Sequence, residues 1–239
     1  MALHVCRQTH FCVFFSDGPN VMKSLKKKLK EVNPFLLDVS ECCLHKVHNA
    51  FAQGLCAFDP SVESSVIDVY YFFKNSSVPS ELLKTQQKVL GLPESVFLRH
   101  LTSRWLTLGA AVGRVIEQFS ALKAVITSSN VASRTCGSVH KRLKEAISNK
   151  AFYANLLFVK NVSELFTDFL TMFQGSEPLS HMLYQEMTRL IKKVCSRFIR
   201  SDAYASLSGK ALKSLKVGNA SVWKAKPEIG EDTEAEIKS

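Results

Sequence analysis

The strongest constraint on the fold is a helical repeat of apolar residues that continues through most of the chain after residue 43. Apolar residues three or four positions apart lie on one face of an α-helix and turn that face towards a core. The repeat is clearest from Leu108 to Ile126, where one stripe holds Val112, Val115, Ile116, Phe119, Leu122 and Ile126. The same pattern predicts helices over 45–58, from Asp59, from Ser77, over 138–173 and over 179–200.

Two short segments near the start of the chain have strand character instead. THFCVFF (9–15) is β-branched and aromatic, and FLLDVS (35–40) is a weaker candidate. Between them, VMKSLKKKLKEV (21–32) fits a helix with Asn20 as its N-cap. The chain is therefore expected to be α+β and predominantly α, with a strand–helix–strand opening followed by a large helical region.

Composition and charge restrict the partners and the compartment. The 239 residues are 46% hydrophobic, which suffices for one sizeable core or two small ones. We find no apolar run of about 18 residues, so no transmembrane helix and no membrane partner are expected. The net charge of +10 suits an anionic partner such as DNA or RNA. An odd count of seven cysteines favours a reducing compartment, the nucleus or otherwise the cytoplasm.

A lysine run covers the predicted helix over 21–32, and it consists of Lys23, Lys26, Lys27, Lys28 and Lys30. These lysines do not form a phosphate-binding loop, since no Gly-x-x-x-x-Gly-Lys motif precedes them. A solvated helix face is one interpretation, and contact with the backbone of DNA or RNA is the other. The aromatic residues that would stack on bases are not interleaved with the lysines.

The segment DVSECCLHKVHN (38–49) places four potential metal ligands within seven positions: Cys42, Cys43, His45 and His48. Zinc sites usually combine two separated ligand pairs, and no second pair with matching spacing follows here. The alternative is a buried turn in which cysteine packs as a small hydrophobe and histidine hydrogen-bonds the backbone. Asp17, in the turn after the first strand, is either a metal-binding carboxylate or a turn former.

Taken in order, five stretches of the chain resemble the hAT-type transposases and the host proteins derived from them. They are SDGPNVM (16–22), CCLHKVHNA (42–50), SVIDVYYFFKNSS (65–77), TSRWLTLG (102–109) and VGRVIEQFSALKAVI (112–126). The resemblance implies a partial RNase H-like core over 1–58 and a helical insertion domain over 59–204. Residues 205–239, rich in Ser, Gly and Lys and ending in an acidic run, are expected to form a flexible tail.

The resemblance also implies roles for individual residues. In the hAT family, a triad of two Asp and one Glu binds two divalent metals for DNA cleavage and joining. Asp17 matches the second Asp of this triad. Cys42 and His45 match a Cys-x-x-His motif, and Arg104 and Trp105 match an Arg-Trp motif at the start of the helical insertion.

Two of the three catalytic acids have no counterpart that can be assigned in this chain. Asp17 alone would hold Mg²⁺ or Mn²⁺ weakly, because hard cations take several oxygen ligands. We therefore expect a truncated or domesticated, catalytically inactive protein that needs no cofactor and binds nucleic acid or another protein. The alternative is a functional transposase or nuclease fragment whose missing triad residues belong to a full-length chain.

Overall fold

The chain is predominantly helical, as the sequence predicted. A computed structural model describes residues 13–14, 20–34, 37–38, 43–102, 106–128, 137–175 and 179–238. The chain divides into two compact units, Met1–Gln53 and Gly54–Ser239. This division lies a few residues before position 58, at which the sequence predicted the first segment to end.

In the first unit, a helix connects two short paired strands. β1 (Val13–Phe14) and β2 (Leu37–Asp38) run parallel, with Val13 opposite Leu37. A parallel pair requires a crossover between its strands, and α1 (Asn20–Val32) supplies it. The predicted strand–helix–strand order is present, although the remaining residues of both predicted strands lie outside the described part of the chain.

Two long helices follow, and a local capping signal separates them. α2 spans Cys43–Phe58 and α3 spans Pro60–Lys74. Between them, the carboxylate of Asp59 accepts a hydrogen bond from the backbone N–H of Ser61 at 2.8 Å. Proline at the first helical position fits because its missing N–H would have no partner there in any case. This arrangement confirms the helix start that the sequence predicted at Asp59.

The next helix, α4 (Ser77–Val89), ends in a turn that favours glycine. Gly91 has a φ of 65°, and the N–H of Leu92 donates to the carbonyl of Gln87 at 2.9 Å. This pattern satisfies backbone carbonyls that a helix end leaves without partners, and glycine adopts the required conformation without a Cβ penalty. The chain then continues without a helix or strand as far as Leu101.

The segment predicted as one helix from 108 to 126 forms two: α5 (Leu106–Glu117) and α6 (Phe119–Thr127). They are separated at Gln118, which is fully buried. Its side-chain oxygen accepts a hydrogen bond from the amide of Gln87 at 3.0 Å. The sequence pattern did not show this break because the apolar spacing continues across it.

The predicted segment 138–173 also divides, into α7 (Ser138–Ser148) and α8 (Ala151–Gln174). α8 packs along α5, and the two helices approach closely where Gly109 faces Ser163. A Cβ atom placed at Gly109 would lie only 2.6 Å from the Oγ of Ser163. The absence of a side chain at this glycine therefore permits the close crossing.

Helical elements continue to residue 238, so the structure differs from the flexible tail that we expected over 205–239. A 3₁₀ turn (Leu179–Met182), α9 (Leu183–Phe198) and α10 (Ser201–Tyr204) precede this region. The region itself contains α11 (Lys210–Lys213), a 3₁₀ turn (Ala220–Val222) and α12 (Glu231–Lys238). α12 packs against α8, and Leu212 and Thr233 are buried. Backbone hydrogen bonds also hold this region, since the N–H groups of Lys224 and Glu228 donate to the carbonyls of Phe198 and Arg197. Such contacts leave no periodic pattern in the sequence.

The core of the second unit consists of the apolar faces of its helices. Fully buried apolar residues there include Val62, Val66, Val69, Leu108, Val112, Leu122, Ile126, Leu143, Leu156 and Leu170. Each such side chain contributes about 1.5–3 kcal/mol relative to an exposed position. Val62, Val66 and Val69 lie on one face of α3 and form its buried side. Within the described ranges, no helix has the length and apolar character needed to span a bilayer.

Candidate nucleic-acid interface

Most of the lysine run lies on one face of the amphipathic helix α1. At about 100° per residue, four of the five lysines fall within about 100° of arc: Lys23, Lys26, Lys27 and Lys30. Leu25 and Leu29 project from the opposite side and are half-buried. Lys23, Lys27, Lys28 and Lys30 are exposed, and the side chain of Lys26 lies outside the described part of the structure. We call Lys23, Lys26, Lys27 and Lys30 the lysine face.

The length of the lysine face suits a phosphate backbone. From Lys23 to Lys30 the helix rises by about 10 Å. Duplex DNA carries about six phosphate charges over that length. Lys23, Lys27 and Lys28 have no carboxylate partner among the residues that the structure describes, whereas Lys30 interacts within the protein. Much of the positive charge of α1 is therefore directed to solvent.

The second basic helix, α9, is different because neighbouring acids compensate several of its cations. Arg189 donates to Glu186 at 2.7 Å, and the Nζ of Lys193 lies 3.6 Å from Asp168. Exposed pairs of this kind add little stability, but they reduce the positive field at the surface. The partner Asp168 could not be found from the sequence, because it belongs to a different helix, α8. α1 is accordingly the stronger candidate for contact with an anion.

The residues that match the transposase motifs lie mostly outside the described residues: Asp17, Cys42, Arg104 and Trp105. His45 lies in the first turn of α2, and its side chain is exposed. Cys43, two residues earlier, is a half-buried free thiol. Within the described ranges, no group of three or more His, Cys, Asp or Glu side chains could hold a metal ion.

Sequence reasoning missed a buried histidine shortly before the Arg-Trp motif. His100 is 5% exposed; its Nδ1 lies 2.8 Å from the Oγ1 of Thr107, and its Nε2 lies 3.1 Å from the Oε1 of Glu63. Burial lowers the pKa of His100, and the nearby Glu63 carboxylate partly offsets this effect. The contacts connect α3 and α5 to the segment between α4 and α5. No local pattern indicates them, since Glu63 and His100 are far apart in the chain.

No protein-family model, curated protein or solved structure matches the chain. A relationship to the hAT-type transposases therefore stays a prediction from the five sequence stretches, and a functional hypothesis has to be argued from the surface chemistry of the chain. Of the features with functional chemistry, the lysine face combines helical spacing with positive charge, and its described side chains, those of Lys23, Lys27 and Lys30, are exposed.

Proposed function

We propose that this chain is a hAT transposase-derived, catalytically inactive protein that binds DNA through the lysine face of α1. The observation that carries the proposal is the row of exposed lysines on a chain with a net charge of +10. Contacts from lysine to phosphate position a protein on nucleic acid without reading its sequence. In this proposal, the protein acts in the nucleus, requires no cofactor, and recognises the DNA backbone.

Salt dependence of DNA binding tests this proposal. The equilibrium constant for a short duplex would be measured by fluorescence anisotropy over a series of KCl concentrations. Each lost phosphate contact reduces the slope of log K against log salt by about 0.9. The triple variant Lys23→Gln, Lys27→Gln and Lys30→Gln should therefore reduce the slope by about 2 to 3 and weaken binding at low salt.

A matched control removes the same charge elsewhere on the surface. Lys141, Lys144 and Lys150 are exposed, and they lie in or next to α7. Their joint replacement by glutamine should change the slope much less than the α1 variant does. If both variants lose the same amount of slope and affinity, binding depends on net charge alone and not on the lysine face. If the affinity of the unaltered protein for DNA does not change with salt, the proposal is wrong.

The absence of catalysis is tested separately. Purified protein with Mg²⁺ or Mn²⁺ and DNA that carries transposon terminal repeats should show no cleavage above an Asp17→Asn control, since two-metal chemistry needs several converging acids. Nicking that depends on Asp17 would instead support the alternative, a nuclease fragment completed by triad residues of a full-length chain.

A further inference from the structure

The second unit contains an apolar cavity, and none of its lining residues belongs to the lysine face. It has a volume of about 490 Å³ and lies between α3, α4 and residues 94–97. Three buried apolar side chains line it, namely those of Phe73, Leu83 and Phe97, and the ring centroids of Phe73 and Phe97 are 5.0 Å apart. Small-molecule sites typically have volumes of about 300–1,000 Å³ and an apolar lining with a few polar groups. Size and lining both fit that class of site.

Hydrogen bonds fix the wall of the cavity formed by residues 94–97, although this wall has no regular secondary structure. The buried amide of Gln87 donates to the carbonyl of Ser95 at 2.8 Å and also to Gln118. From α5, the guanidinium of Arg114 donates to the carbonyl of Val96 at 2.7 Å. The cavity is therefore formed before any ligand arrives, so a ligand would lose little affinity to ordering of the wall.

The mouth of the cavity carries more positive than negative charge. Lys74 and Lys84 line it and are exposed, and the Nζ of Lys74 lies 5.4 Å from the ring centre of Tyr70. Among the described residues of the lining, only Glu94 is acidic, and it is already paired with Lys88 at 3.3 Å. An apolar interior behind two lysines is complementary to a molecule with an apolar body and one negative group.

We propose that this cavity binds a small amphipathic anion, such as a medium-chain fatty acid. The hydrocarbon chain would contact Phe73, Leu83 and Phe97, and the carboxylate would lie between Lys74 and Lys84. Charge-assisted hydrogen bonds to the two ammonium groups would orient the ligand. A nucleic-acid backbone fits this cavity poorly, because it would leave the aromatic interior unfilled.

Fluorescence titration with dansyl-labelled undecanoate tests the proposal on the full chain. The probe should bind at a single saturable site, and dodecanoate should displace it while dodecyltrimethylammonium does not. The double variant Lys74→Gln and Lys84→Gln should weaken dodecanoate binding about tenfold, because it removes both charged donors. The matched variant Lys141→Gln and Lys144→Gln, which removes the same charge from α7, should bind as the unaltered protein does.

A second variant tests the cavity rather than its charge. Val96 lines the mouth and is 73% exposed, so Val96→Trp should block entry without disturbing the core, as circular dichroism would verify. Probe binding should then be lost. Equal displacement by the cationic and anionic amphiphiles would overturn the proposal. So would undiminished dodecanoate binding in the Lys74 and Lys84 variant, or undiminished probe binding in Val96→Trp.

Discussion

The crossing of α5 and α8 at Gly109 allows a quantitative test of the packing. In Gly109→Ala, the new Cβ would lie 2.6 Å from the Oγ of Ser163 and 3.3 Å from its Cβ, below ordinary carbon contacts. The Ser163 hydroxyl is buried and donates to the carbonyl of Lys160 at 2.7 Å, so rotating it away breaks a hydrogen bond. Core overpacking costs about 1–3 kcal/mol, and alanine gains about 1 kcal/mol over glycine in a helix. We expect a net loss of about 1 kcal/mol in the free energy of unfolding.

Two further variants separate the steric clash from helix propensity. Gly113 lies one turn further along α5, and a Cβ there would meet the Cε of Lys160 at an ordinary 3.6 Å. Gly113→Ala should therefore stabilise the protein by about 1 kcal/mol. Ser163→Ala removes the Oγ atom, so Gly109→Ala should be less harmful in that background, with a coupling energy of about 1 kcal/mol.

Urea unfolding followed by far-UV circular dichroism would measure the free energy of unfolding of four variants: Gly109→Ala, Gly113→Ala, Ser163→Ala, and the double substitution at Gly109 and Ser163. A change of about 1 kcal/mol corresponds to about 2–4 °C in Tm for a unit of this size, so thermal unfolding offers a second readout. The reasoning is refuted if Gly109→Ala stabilises the protein as much as Gly113→Ala does. Strict additivity between the substitutions at Gly109 and Ser163 would refute it equally.

Two other predictions concern ionisable groups in the helical unit. Burial lowers the pKa of His100 below its ordinary value of 6.5, so below that pH the unfolded chain binds more protons than the folded protein. Stability should therefore fall as the pH drops from about 6.5 towards the pKa of His100 in the folded protein. In His100→Gln, the urea midpoint should fall less over the same pH range. If the midpoint of the variant falls as much as that of the unaltered protein, another group causes the effect. Burial raises the pKa of Asp59, but hydrogen bonds from Ser61 and Asn155 outweigh this effect and lower it overall. At neutral pH, Asp59→Ala should cost about 1 kcal/mol in urea unfolding and Asp59→Asn much less, because asparagine also caps helices; equal losses would contradict the capping role.

Several elements could be predicted from the sequence because their signals are local. Asp59 followed by proline starts α3, and an apolar stripe through Val62, Val66 and Val69 gives its buried face. The helical spacing of the apolar residues Val21, Leu25, Leu29 and Val32 predicted α1. In each case, the residues that determine the element lie within a few positions of one another, so a short window of sequence contains the necessary information.

The remaining features depend on contacts between distant positions. The break at Gln118 accompanies a hydrogen bond to Gln87, and the amide of Gln118 also donates to the carbonyl of Pro93 at 3.3 Å. The C-terminal helix α12 depends on packing against α8. For the candidate interface, the sequence supplied the lysines, whereas their exposure and the compensation of charge on α9 required the structure. Such long-range partners are not encoded in periodicity or composition.

The pair formed by Gln87 and Gln118 also bears on how the cavity would respond to ionic strength. Neither amide carries a charge, so the hydrogen bonds from Gln87 to Ser95 and to Gln118 are not subject to Debye screening. At about 1 M salt the Debye length is about 3 Å, which largely eliminates the attraction between the lysine face and phosphates. The cavity would keep its shape in the same buffer. High salt should therefore release bound nucleic acid during purification, whereas an amphipathic anion in the cavity should lose only the part of its affinity that comes from Lys74 and Lys84.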